Sequence, residues 1–236
     1  TGEKFREYYP GNITLVVDFF TSKNFKNIFK NKKAKIVTSI AMFYDLDEPL
    51  TFVREIFDIL SDDGVWVFEQ SYMPSMLEAD SFDTICHEHQ EYYRLKEIDW
   101  MMKKVGFKII DIQFNKINGG SFSVTVAKPN YPRPETPDLD IFLAEENKKG
   151  LSTNKPYDDF RERIYEFKLK IRQLLDKLHK EKSLIIGYGA STKGNVLLQF
   201  VGITSRDIPY IGEVNEDKFG SYTPGTLIPI ISEEKA

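Results

Sequence analysis

The run Val65-Trp66-Val67-Phe68 is apolar at every position. A strand with one wet face alternates apolar and polar residues, so an unbroken run belongs inside a sheet covered on both faces. The flanking sequence supplies the covers. Pro49 stands where a helix begins, Leu50, Val53, Phe57 and Leu60 follow at helical spacing, and Asp62-Asp63-Gly64 reads as the stop. Beyond the run, Leu95, Ile98, Met102 and Val105 mark a second amphipathic helix closed by Gly106. Ile13–Val17 and Lys35–Ile40 read as two further strands, with a short helix from Ser22 to Phe29 between them. Lys108–Gln113 and Ser121–Ala127 read as a pair joined through Asn118-Gly119-Gly120. Strand and helix alternate up to a terminal hairpin, which predicts a mostly parallel α/β sheet with one reversed strand at its edge.

Pro129, Pro132, Pro134 and Pro137 interrupt this pattern and mark a boundary. A long helix is predicted from Tyr157 to Lys180, where Phe160, Ile164, Phe167, Ile171, Leu174 and Leu178 recur three and four apart. Such a stripe packs against a neighbouring helix, within the chain or across a homodimer. Leu184-Ile185-Ile186 opens a second α/β unit, followed by a helix from Gly194 to Phe200 and a strand from Ile208 to Gly212. The chain therefore divides into residues 1–130, 131–182 and 183–236, and both ends read as cuts.

Charge and cysteine content exclude several classes. The formal net charge is −4, with both signs interleaved and no basic stripe, which argues against a nucleic-acid partner. No apolar run is long enough to span a bilayer. The one cysteine, Cys86, allows no intrachain disulfide and leaves no cysteine cluster for structural zinc, so a reducing, cytoplasmic setting is expected.

Three constellations carry chemistry. Cys86-His87-Glu88-His89 holds two of the three histidines and follows the buried strand, at the edge where open parallel sheets bind ligands. Imidazole moves protons near neutral pH, and Glu88 can orient one ring. A zinc pair, a Cys86–His nucleophile and a solvated loop remain alternatives for this stretch. The second constellation, Gly187-Tyr188-Gly189-Ala190-Ser191-Thr192-Lys193-Gly194-Asn195, follows an apolar run and opens a helix, the context of a phosphate cradle. Glu213 falls near the place of a ribose-binding acid, but Thr192 replaces the third glycine of a dinucleotide fingerprint. The third is Asp18-Phe19-Phe20, an acid and aromatics that can hold an adenine or simply cap a helix and fill a core.

Together these segments resemble the sugar C-methyltransferases, S-adenosylmethionine-dependent enzymes that methylate a carbon of a nucleotide-linked ketosugar. The resemblance is carried by residues 38–46 (TSIAMFYDL), 68–72 (FEQSY), 82–89 (FDTICHEH), 118–121 (NGGS), 187–195, 219–225 (FGSYTPG) and 228–230 (IPI), in the family's order. It implies a partial class I methyltransferase, Rossmann-like sheet, a helical linker, and a second, incomplete Rossmann-like α/β domain. It also implies His89 as the base, Glu88 as its support, and His87, Tyr72 and Asn118 as donors near the sugar. Asp18 and Phe19 match the adenine-contacting position, and Ile40, Ala41 and Met42 the strand end beneath the sulfonium. Ser191, Lys193 and Asn195 would face the diphosphate of the nucleotide sugar, and Cys86 the substrate.

The chain departs from the family at several places. The N-terminal zinc domain and the glycine-rich cofactor loop have no counterpart here, so S-adenosylmethionine binding is expected to be poor and no metal is expected. Cys86 occupies a position where related sequences often carry tyrosine. Phe43 and Tyr44 lie where some relatives place a histidine. Two alternatives stand beside the methyltransferase: an NAD-dependent sugar-nucleotide oxidoreductase or epimerase using the Gly187 loop, and a noncatalytic nucleotide-sugar binding module.

Overall fold

Val65 to Phe68 lie in an interior strand of a computed structural model that describes residues 2–236. Along the chain run α1 (Ser22–Phe29), β1 (Ala34–Ile40), α2 (Pro49–Ile59), β2 (Leu60–Ser71), α3 (Met73–Glu78), α4 (Leu95–Val105), β3 (Lys108–Asn115) and β4 (Ser121–Ala127). There follow α5 (Asp138–Lys148), α6 (Lys155–Lys180), β5 (Gly187–Tyr188), α7 (Thr192–Val201), β6 (Ile211–Glu213) and β7 (Ile230–Ser232). They form two compact units. The first takes residues up to 70, 93–115 and 121–143; the second takes 71–92, 116–120 and 144–236.

In the first unit β1 and β2 run parallel, β3 and β4 antiparallel, and the sheet order is β1-β2-β4-β3. The hairpin's second strand, not its first, therefore takes the inner place beside β2. Burial explains the choice: Phe122, Val124, Val126 and Ala127 of β4 are buried, whereas β3 exposes Gln113 and Phe114 and can serve as the edge. Trp66 and Phe68 are fully buried, and the Trp66 indole satisfies its N–H by donating to Ser39 Oγ at 2.8 Å. Phe43 is the hub of the aromatic core. At 0% exposure, its ring lies 5.4 to 6.0 Å from those of Tyr93, Phe68, Trp66 and Phe52.

Two expectations are corrected in this unit. Residues 13–17 do not form a strand; Ile13 makes only a turn bond to the Pro10 carbonyl, and Val16 and Val17 are exposed. β-branched residues favour extended backbone, but a strand also needs a ladder partner, and none among the described residues pairs with this segment. Asp62-Asp63-Gly64 is not the helix stop either. α2 ends at Ile59, and Leu60 already pairs with Ala34. The next pair is Ile36 with Val65, so the triplet forms a bulge in β2. Gly64 sits there because a Cβ would come within 2.9 Å of the Ala34 carbonyl oxygen.

In the second unit β5, β6 and β7 form a parallel sheet. α6 packs its first half, through Phe160 and Ile164, with α3 and Phe82, and its second half, through Ile171 and Leu175, on α7 and the sheet. Leu175 rather than Leu174 is buried, because the stripe rotates between the two contacts. The remaining histidine, His179, is structural and meets the Asp207 carbonyl at 3.0 Å. Leu184–Ile186 lie outside any strand; β5 begins at Gly187, and β6 begins at Ile211 rather than Ile208.

Glu213 closes β6 and is consumed by the fold. Its carboxylate accepts from the backbone N–H groups of Ala190, Val214 and Asn215 at 2.9, 2.8 and 3.1 Å, and from Lys218 Nζ at 3.2 Å. These backbone donors, Ala190 foremost, hold its carboxyl down at about 2. Every hydrogen bond of this set fixes the turn before α7 or the turn after β6.

Two stability predictions follow from these packings. Phe43→Ala removes the aromatic hub and lowers unfolding free energy by about 3–5 kcal/mol in urea titration; an unchanged midpoint contradicts that role. A carboxyl lowered in the folded state stabilises above its unfolded value of roughly 4.3 and loses that contribution as pH falls further. Glu213→Gln therefore lowers Tm at neutral pH, and the deficit shrinks as pH falls through the acid range toward the folded value. A deficit independent of pH contradicts the clamp.

Candidate functional site

Chain direction after β2 places the histidine stretch. α3 is short, with Pro74 in its first turn, and the Ser81 N–H returns to the Met76 carbonyl. Phe82 anchors the chain in the apolar cluster beneath, and Thr84 Oγ1 donates to the Ser81 carbonyl at 2.8 Å. The next residues close a tight turn, in which the His89 N–H donates to the Cys86 carbonyl at 3.2 Å. Cys86 and His89 thus stand half-buried at the two ends of the turn, with His87 and Glu88 exposed at its tip. Tyr92 lies alongside; burial pushes its phenol up, and the neighbouring Cys86 thiol adds to the shift.

Tyr72 is paired away from this turn. Its hydroxyl donates to Glu146 Oε1 at 2.8 Å, with the two residues 6% and 3% exposed. Burial, then the bond to Glu146, raises the phenol far above its ordinary value, so its proton stays on oxygen. Glu146 is a partner the sequence did not single out.

The turn Asn118-Gly119-Gly120 seats on this same segment. All three residues have positive φ, at 55°, 84° and 122°. Glycine is required here for space as well as conformation, because a Cβ on Gly119 would collide with Ser81 and one on Gly120 with Ser75. The Tyr72 N–H donates to the Gly120 carbonyl at 3.0 Å. Asn118 Oδ1 accepts from Lys193 Nζ at 3.2 Å, which joins the turn to the glycine loop.

That loop is shaped by close packing. A Cβ on Gly187 would lie 2.6 Å from Ile211, and Gly189 turns at φ 83° while its N–H donates to the Gly212 carbonyl. Ser191 caps α7, its Oγ accepting from the Gly194 N–H at 3.0 Å. Two cavities flank the start of α7. One of about 630 Å³ is lined by Asp80, Ser81, Asp83, Ser191 and Lys193 among others. The other, of about 580 Å³, brings Cys86 and His87 together with Thr192, Asn195 and Gln199. The two constellations of the second unit, whose cavity-lining residues are more than a hundred positions apart in sequence, meet in that cavity. Gln199 was missed by sequence reasoning, although residues 192, 195 and 199 share one helical face.

In the first unit, Asp18 accepts from the Phe19 N–H at 2.7 Å and from Asn24 Nδ2 at 3.0 Å. The cap of α1 is Thr21 instead, and Phe20 rests on Phe52 while Phe19 is 89% exposed. Asp18 and Phe19 line a cavity of about 520 Å³ with Gly2, Val16 and Val17. Ile40, Ala41 and Met42 follow β1, where Ala41 takes φ 51° and donates its N–H to the Glu69 carbonyl at 2.8 Å. Among the described residues no group of three or more His, Cys, Asp or Glu side chains could hold a metal ion, and no helix is long and apolar enough to cross a membrane.

Comparison with known proteins adds family evidence. The chain is 29% identical over 203 residues to the C-methyltransferase NovU of Streptomyces niveus, a match covering 86% of this chain and 48% of that relative. The chain thus spans about half the length of its curated relative. Among solved structures, a SAM-dependent methyltransferase from Aquifex aeolicus overlaps 53% of this chain and 60% of its own, at TM-score 0.36 and 14% identity. The magnesium protoporphyrin IX methyltransferase of Synechocystis overlaps 42% and 46%, at TM-score 0.34 and 8% identity. A methyltransferase domain matches residues 5–112, and the C-methyltransferase C-terminal domain matches residues 116–236. The chain therefore belongs to the family defined by the C-methyltransferase C-terminal domain.

Proposed function

We propose that the chain carries out S-adenosylmethionine-dependent C-methylation of a nucleotide-diphosphate-linked ketosugar, with His89 as the base that forms the enolate. The observation that supports this most is the cavity that Cys86 and His87 share with α7, which lets one ligand meet the His87 imidazole and the glycine-loop helix at once, with His89 at the far end of the same tight turn. The named relative, NovU, is a C-methyltransferase, and a C–H bond beside a ketone is the kind of carbon that such chemistry activates.

The roles follow from the side chains. His89 Nε2 or Nδ1 takes the proton from the carbon next to the ketone, and Glu88, beside it in the turn, supports the imidazolium that results. His87 and the Asn118 amide donate toward the enolate oxygen. Tyr72, whose proton is held by Glu146, acts on the sugar's surroundings through that buried pair. Ser191 and Lys193 face the diphosphate, Lys193 as a point charge now resting on Asn118. The exposed ring of Phe19 and the carboxylate of Asp18, set on an apolar wall, fit an adenosine, and Ile40, Ala41 and Met42 its sulfonium side. S-adenosylmethionine supplies an electrophilic methyl group there. A cytoplasmic setting fits a free thiol at Cys86.

Proton removal can be read without the cofactor. With a nucleotide-diphosphate 4-ketosugar in deuterium oxide, the chain should exchange the hydrogen on the carbon beside the ketone, followed by NMR. His89→Ala should slow this exchange by about 10²–10⁴-fold, and unchanged exchange removes His89 as the base. Absence of exchange by the wild-type chain, together with tight calorimetric binding of NAD, would instead select the oxidoreductase.

A further inference from the structure

Another cavity of the second unit shares no lining residue with the two beside α7. It opens where α3, the end of α5 and the start of α6 meet, and its volume of about 460 Å³ suits a small organic ligand. Pro74, Leu77, Leu151 and Pro156 give it an apolar floor. Charged side chains from the same three elements stand around that floor. The methyl transfer proposed above uses none of these residues.

Those charges are unevenly spent. Lys149 pairs with Glu78, and Lys155 pairs with Asp159 at 2.9 Å, so each carboxylate of the lining already has its lysine. Arg163 donates from Nε to Asp80 at 2.8 Å and from Nη2 to the Leu77 carbonyl at 2.6 Å. A guanidinium carries N–H donors on three nitrogens, and Arg163 Nη1 has no protein acceptor among the described residues. Lys148, exposed at the end of α5, makes no ion pair among the described residues. The cavity therefore holds one positive charge in excess and two unspent cationic donors, with no carboxylate left to meet them. A bare inorganic anion would find only solvent-screened contacts there and would leave the apolar floor uncovered. An anion with an apolar body uses both features at once.

We infer that this cavity is a second ligand site, for an amphipathic organic monoanion: an aryl or alkyl carboxylate or sulfonate. Its apolar part covers Leu77, Leu151 and the two prolines, and its charge meets Lys148 and the open edge of Arg163.

The test uses 8-anilinonaphthalene-1-sulfonate and its uncharged counterpart N-phenyl-1-naphthylamine, with binding to the whole chain followed by fluorescence. Lys148→Glu replaces an attraction by a repulsion at an exposed position, so the fold should be unaffected. It should weaken the sulfonate about tenfold and leave the uncharged amine within about twofold. Lys148→Met should fall between wild type and Lys148→Glu for the sulfonate. Exposed apolar residues elsewhere also take up such dyes, so the site is located by leucine methyl NMR on the wild-type chain. The Leu77 and Leu151 methyls should shift with the midpoint seen by fluorescence, while those of Leu184 and Leu227, exposed elsewhere in the same unit, should stay in place. Unmoved Leu77 and Leu151 methyls, or a Lys148→Glu variant that does not distinguish the two probes, overturns the assignment.

Discussion

The second unit depends on how closely one backbone turn can approach another. Asn118, Gly119 and Gly120 hold positive φ in succession, and the two glycines lie against Ser81 and Ser75 where no Cβ fits. Asparagine tolerates the left-handed region through its short polar side chain, so it can lead the turn and still present an amide. The Gly120 carbonyl takes the Tyr72 N–H as the chain leaves β2, and the Asn118 amide oxygen takes Lys193. One turn thus fixes where the segment bearing Cys86–His89 starts and where the glycine loop's cation rests.

Charge disposition narrows which groups are left to do acid–base work. Glu213 is satisfied by three backbone donors and Lys218, and Glu146 holds the Tyr72 proton. Asp80 is tied to Arg163 at 2.8 Å, and Glu78 pairs with Lys149. The carboxylates around the site are therefore mostly structural. A dinucleotide-binding acid needs both oxygens open to a ribose diol, and Glu213 spends its own on the turns that it clamps. This weighs against the oxidoreductase alternative.

Much of the architecture was legible because it rests on local rules. Pro49 at the start of α2, Gly106 in the left-handed conformation after α4 and the limits of α1 follow from capping and periodicity. What failed was non-local. Residues 13–17 have strand composition but no ladder partner among the described residues, and the inner place of β4 goes with its burial, Phe122, Val124 and Val126 being buried and none of its residues exposed. The same distinction holds at the site. The histidine turn and the glycine loop could be picked out singly, each from its own residue types. Their meeting in one cavity depends on α6 and α7 packing, and the Tyr72–Glu146 bond spans 74 residues. Gln199 marks the intermediate case, since helical periodicity placed it on the face of Asn195 but gave no reason to consider that face.

Cys86 shows how these levels combine. In the resemblance drawn from the sequence, related chains often carry tyrosine at this position, a long side chain with a strong hydroxyl. Here a thiol stands half-buried at the end of the turn and on the cavity wall. A thiol is shorter and a weak hydrogen-bond donor, so it yields volume and gives up directional recognition. The nearest phenol, Tyr92, turns its hydroxyl toward the Thr84 carbonyl at 3.4 Å. The polar groups that remain on this wall are the His87 imidazole and the amide and hydroxyl groups of Thr192, Asn195 and Gln199 on α7.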